Sequence, residues 1–242
     1  MALVITLLLG MFFVIGILVV SFAKNAHTIE HYSVATALGA MVGIGLLDIL
    51  PELIEMITPS MIFLPIIGVV VGFGILVGLD KFIPEHEDDD ENEYSDENMV
   101  HIGMISSIAI IIHNIIEGMA VYSMASQNIN EGLLLMVGIG LHNIPMGMFI
   151  YSTLRSKTGW KKNTFLAAST LSTFIGGIIM MVLESYLTVA FDEVLYGVAL
   201  GMIAYIVIME LIPYVRRNKS KITTAVCSAI GLAVVLISTI IE

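Results

Sequence analysis

The chain has 242 residues, 57% of them hydrophobic and only 13% charged, and its mean hydropathy is +0.96. That composition excludes a soluble domain of this size. A net charge of −11 argues against a nucleic-acid partner, and the single cysteine, Cys227, excludes an intrachain disulfide.

Apolar runs of about 20 residues read as membrane-spanning helices, and the chain contains eight. The first, 2–23, has no basic flank and no small-residue cleavage site, so it reads as a retained helix and not a signal peptide. After Lys24 comes His27-Thr28-Ile29-Glu30-His31; if helical, His27 and His31 share a face suited to metal release, the alternative being a solvated turn. The second run, 33–57, carries Asp48-Ile49-Leu50-Pro51-Glu52 and Glu55, and the third is 60–80. Between the third and fourth lies a segment, about 84–98, too acidic to pack and expected to be disordered, where His86 and its neighbours can collect cations weakly. The fourth run, 100–125, holds His113-Asn114-Ile115-Ile116-Glu117-Gly118, and the fifth, 132–154, holds His142-Asn143-Ile144-Pro145-Met146-Gly147. The sixth, 163–187, contains Thr173 and Glu184; the seventh, 193–214, contains Glu210-Leu211-Ile212-Pro213; the eighth is 222–241. These runs fill the chain, so a single transmembrane domain over 1–242 is expected, with the lipid bilayer as its partner and no soluble domain.

All ten Lys and Arg fall on the odd-numbered connections: Lys24, then Lys81, then Arg155 to Lys162, then Arg216 to Lys221. The positive-inside rule makes that side cytoplasmic and both termini extracytoplasmic. A multi-pass protein of the cell membrane follows. The split supports the helix count too, since one missed helix would scramble it.

Acid, two aliphatics and proline recur on the second and seventh helices, which run in opposite directions. The His-Asn motifs recur on the oppositely directed fourth and fifth. An inverted repeat is expected, with helices 1–3 mirrored by 6–8 around the pair 4–5, the plan of carriers that bind substrate near the midplane.

Imidazole, amide and carboxylate groups are costly in hydrocarbon. His113, Asn114 and Glu117 share one broad helix face, as do His142, Asn143 and Met146. Two facing helices so equipped can hold one divalent ion; two imidazoles and a carboxylate suit zinc or iron(II) better than calcium or magnesium. The alternative is hydrogen bonding between helices alone. Asp48, Glu52, Glu55 and Glu184 form an anionic entrance in this reading, and Glu210 with His27 and His31 an exit.

The motifs resemble the ZIP (Zrt/Irt-like) family of divalent metal transporters across essentially the whole chain. The most specific match is the string from His113 to Gly118, the family's His-Asn-x-x-Glu-Gly. The fifth helix matches at His142, Asn143, Pro145 and Gly147, and the acid-x-x-Pro elements match at Asp48 to Pro51 and Glu210 to Pro213. The resemblance implies metal binding by His113, Asn114, Glu117, His142 and Asn143 during uptake into the cytoplasm. Two departures stand out. Met146 replaces a glutamate that bridges two metals in many relatives, and Thr173 stands where some carry a sixth-helix glutamate. One strong site is therefore expected, not a two-metal cluster, with Met146 either a soft ligand or an apolar plug.

The expected function is transport of a zinc-like divalent cation, iron(II) and manganese included, as substrate and not cofactor. A homodimer is compatible with the sequence. The rivals are an intramembrane metalloenzyme, disfavoured because no His-Glu-x-x-His and no separate buried base is present, and a non-transporting metal sensor. Neutral imidazoles and an ionised Glu117 are required for binding, so uptake should weaken in acid.

Overall fold

The computed structural model describes residues 1–23, 26–56, 63–82, 96–156, 159–183, 189–217 and 220–241. Among them there is no strand, and eight helices are long and apolar enough to cross a membrane. We number them α1 (Ala2–Ser21), α2 (26–56), α3 (Phe63–Asp80), α4 (Asp96–Gln127), α5 (Ile129–Thr153), α6 (Trp160–Leu183), α7 (189–217) and α8 (Lys221–Ile241). Each expected run has its helix, with shifts of a few residues at the ends. Two shifts matter. α2 starts at Ala26, well before the expected 33, which makes 26–32 helical and not a turn. α4 starts at Asp96, so the tail of the acidic segment is helical; 83–95, including His86, lie outside the described residues.

α2 and α7 are each built in three pieces. α2 runs Ala26–Gly43, a π-helical turn Ile44–Ile49, then Leu50–Met56; α7 runs Val189–Tyr205, a π-helical turn Ile206–Leu211, then Ile212–Arg217. Proline explains the turns: it lacks an N–H and its ring pushes on the carbonyl one turn back, so the preceding ladder widens. Pro51 and Pro213 each stand second in the piece after the π turn, and Asp48 and Glu210 each stand fifth within its six residues. Leu50 N–H reaches back to Gly45 O, and Ile212 N–H to Val207 O, in the same way.

Glycines extend this correspondence to every span. A methyl on Gly16 would overlap Ile144 O and one on Gly147 would overlap Phe13 O, so α1 and α5 press backbone to backbone. Gly118 stands in the same relation to Thr173 O, and Gly176 to Ile115 O, across α4 and α6. Gly39 and Gly231 abut Ser228 O and Thr36 O across α2 and α8; Gly72 and Gly201 abut Val198 O and Val69 O across α3 and α7. Small residues permit such close approach, and in lipid this packing drives helix association. Phe13 and Gly16 correspond to Thr173 and Gly176, and Thr36 and Gly39 to Val198 and Gly201, with equal spacing. The reciprocal pairs follow the repeat 1–3 to 6–8 around α4 and α5.

Two bundles result. α1, α4, α5 and α6 form one; α2, α3, α7 and α8 form the other, and they meet mainly where α5 crosses α2 and α8. Each bundle takes helices from both repeats, so each is symmetric within itself. The bundles therefore cut across the repeat, and neither consists of helices 1–3 or 6–8 alone.

Candidate metal centre

α4 and α5 place their motifs face to face inside the first bundle. His113, Glu117 and His142 are all buried, and their ligand atoms lie within 4.8 Å of one another. The one-turn spacing on α4 brings His113 Nε2 to 2.7 Å from Glu117 Oε1. From α5, His142 Nε2 lies 2.6 Å from the same oxygen. The rings face each other with centroids 6.2 Å apart. Asn143 Nδ2 donates to the other carboxylate oxygen at 3.3 Å. Thus three side chains from two helices converge on one carboxylate.

Not every acceptor here is satisfied. Despite its closeness to Glu117, His113 Nε2 lacks hydrogen-bond alignment, and Asn143 Oδ1 and Asn114 Oδ1 are buried without a partner. Buried acceptors without donors are costly. A cation between the imidazoles and the carboxylate would supply what His113 lacks. Asn114 turns instead to α6, donating to Ser169 O at 3.1 Å.

A cavity of about 500 Å³ leads to this centre between the bundles. His113 and Glu117 line its floor; Asp48, Glu52 and Glu55 of α2, with Tyr196 of α7 and Thr239 of α8, line its walls. The Tyr196 hydroxyl donates to Glu52 Oε1 at 3.0 Å. These wall residues belong to the end of the molecule that carries both termini. Glu184, the fourth acid expected here, lies outside the described residues.

At the opposite end Asp80, His101 and Glu210 form a second cluster with ligand atoms within 4.8 Å of one another. His101 Nε2 is 2.8 Å from Asp80 Oδ1, and this contact joins α4 of one bundle to α3 of the other. Sequence reasoning singled out Glu210 but missed Asp80 and His101. They sit at the helix ends flanking the acidic segment, and no spacing within one helix links them.

The remaining expected residues sort differently. His31 is buried within the second bundle, its Nε2 3.2 Å from Thr224 Oγ1 and its ring stacked on Tyr214. It does not join the Glu210 cluster. His27 is helical, but its side chain lies outside the description. Thr173 turns away from the centre, donating to Thr6 O on α1 at 3.0 Å. Met146 is 1% exposed and packs in the main apolar core.

Residues 78–239 match the family described as ZIP Zinc transporter. A protein named Zinc transporter ZupT from Enterobacter sp. (strain 638) is 30% identical, over 98% of this chain and 97% of that protein. The protein of the same name from Clostridium perfringens is 30% identical over 90% of this chain and 87% of its own length. That from Streptococcus mutans is 28% identical over 88% and 86%.

Proposed function

The chain belongs to the ZIP zinc transporter family and is a multi-pass carrier of divalent metal, not an enzyme; from that premise we propose that it imports a zinc-like ion through the His113–Glu117–His142 centre. The observation that carries this reading is the shared carboxylate: two imidazoles from facing helices converge on Glu117 at the floor of an acid-lined cavity. Two neutral imidazoles and one carboxylate match borderline ions such as zinc and iron(II), with manganese weaker by the Irving–Williams order. Met146 acts as an apolar plug in the position of a second ion, so one metal binds here per chain. Every ligand comes from one chain, so no partner subunit is required.

The orientation in this reading rests on charge. Lys81, Arg155, Lys161, Lys162, Arg216, Arg217 and Lys221 all lie at the end opposite the termini, and the positive-inside rule supports reading that end as cytoplasmic. The cavity then opens outward. An interior-negative potential favours entry of a divalent ion by about 4.6 kcal/mol per 100 mV, at about 2.3 per charge. Metal enters past Asp48, Glu52 and Glu55, exchanges water for His113, Glu117 and His142, and leaves past Glu210, Asp80 and His101 once the bundles shift. The contact of His101 with Asp80 closes the inner side meanwhile.

The test is zinc flux into liposomes bearing the purified protein, with a metal-sensitive dye inside. Wild type should exceed empty liposomes and His113→Ala should not. Binding without flux in zinc, iron(II) and manganese alike would replace transport with sensing.

A further inference from the structure

Ser238 lies on α8, in the bundle that supplies none of the three converging ligands. It is fully buried, yet its hydroxyl touches the metal centre from behind. Its Oγ donates to Gly138 O on α5 at 2.6 Å and lies 3.2 Å from His142 Nδ1. A hydroxyl has one proton. A carbonyl oxygen can only accept, so that proton points at Gly138. Toward His142 the hydroxyl therefore offers a lone pair, and His142 Nδ1 must carry the hydrogen of that contact. An imidazole protonated at Nδ1 directs its other nitrogen, Nε2, toward Glu117, where metal would bind.

We propose that Ser238 is a positioning residue for metal binding: it orients His142 and holds its proton on Nδ1, leaving Nε2 for the ion. This rests on the transport reading above. Ligating histidines commonly donate their second ring N–H to an outer acceptor, which fixes the ring and raises its basicity. The bridge has a further property here. Gly138 and His142 ride on α5 and Ser238 on α8, so the bond spans the two bundles. The serine thus ties the ligand-bearing helix to the second bundle in this arrangement.

Ser238 bears no formal charge and lies outside the family motifs, so no sequence pattern marks it. Its register on α8 sets Thr239, the next residue, in the cavity wall. Ser238 itself is turned to α5.

The experiment compares wild type, Ser238→Ala and Ser238→Thr for zinc affinity in detergent by calorimetry and for the KM and Vmax of zinc flux in liposomes. Removing the hydroxyl should raise Kd and KM about tenfold, the lower range for loss of an outer partner, with Vmax within about twofold of wild type. Threonine keeps the hydroxyl and should restore both. A merely structural serine would lower Vmax or yield at unchanged KM. That outcome, an unchanged Kd in Ser238→Ala, or a failure of threonine to rescue a raised KM would overturn the proposal. Wild type that neither binds nor moves zinc would overturn the transport reading, and this inference with it.

Discussion

Asp48 and Glu210 hold equivalent places in the repeat but meet different surroundings. Each is fifth in a six-residue π turn that precedes a proline. Asp48 lines an open cavity together with His113 and Glu117 of the proposed metal centre. Glu210 is 8% exposed and drawn into a cluster with Asp80 and His101. Sequence symmetry with conformational asymmetry fits the proposed alternating access, with one half-path open and its mate closed. The difference lies in the bundle arrangement and not in the motifs, because the local backbone device is the same in both.

The two halves share one centre, so the largest effect should come from removing it. Glu117→Gln keeps the shape but removes the charge both imidazoles face. We expect zinc flux to fall about 100-fold or more, beyond the 10–100-fold cost of losing an outer partner. Flux within tenfold of wild type would show that the path bypasses this carboxylate.

The matched pair comes next. Asp48→Asn should raise the KM for zinc about tenfold with little change in Vmax, because it weakens attraction into the open cavity. Glu210→Gln should instead lower Vmax at nearly constant KM, because it acts after binding. Identical profiles for the two variants would break the comparison.

Acid sharpens it further. Protonated imidazole has no lone pair for metal. Lowering the pH on the termini side from 7 to 6 should therefore reduce zinc uptake, read as dye-reported flux at fixed zinc. Acidifying only the opposite side should leave the zinc KM unchanged. The smallest effect is expected at His31, which packs on Tyr214 within one bundle. His31→Phe should keep flux within about twofold, under 0.5 kcal/mol. A larger loss would return His31 to the metal path.

Much of this was legible in the chain because it depends on one helix at a time. Hydropathy placed the eight spans, and the one-turn spacing of His113 and Glu117 already put them on one face. The repeated His-Asn and acid-x-x-Pro strings pointed to the inverted repeat. What stayed hidden depends on which helices touch. Reciprocal glycine pairs such as Gly118 with Gly176 become visible only when α4 meets α6. His101 and Asp80 needed α4 beside α3, and Ser238 needed α8 beside α5. His31 shows the same limit: its register allowed an exit ligand, but its contacts with Thr224 of α8 and Tyr214 of α7 became visible only once those helices were in place.

The central claim is that zinc sits between His113, Glu117 and His142 with Met146 standing aside. X-ray absorption at the zinc edge on the loaded protein tests it directly. The expected spectrum has a nitrogen and oxygen shell at about 2.0–2.1 Å with two imidazoles, one of them lost in His142→Ala, and no sulfur at about 2.3 Å. A shell with fewer than two imidazoles, or one that His142→Ala leaves unchanged, would contradict it.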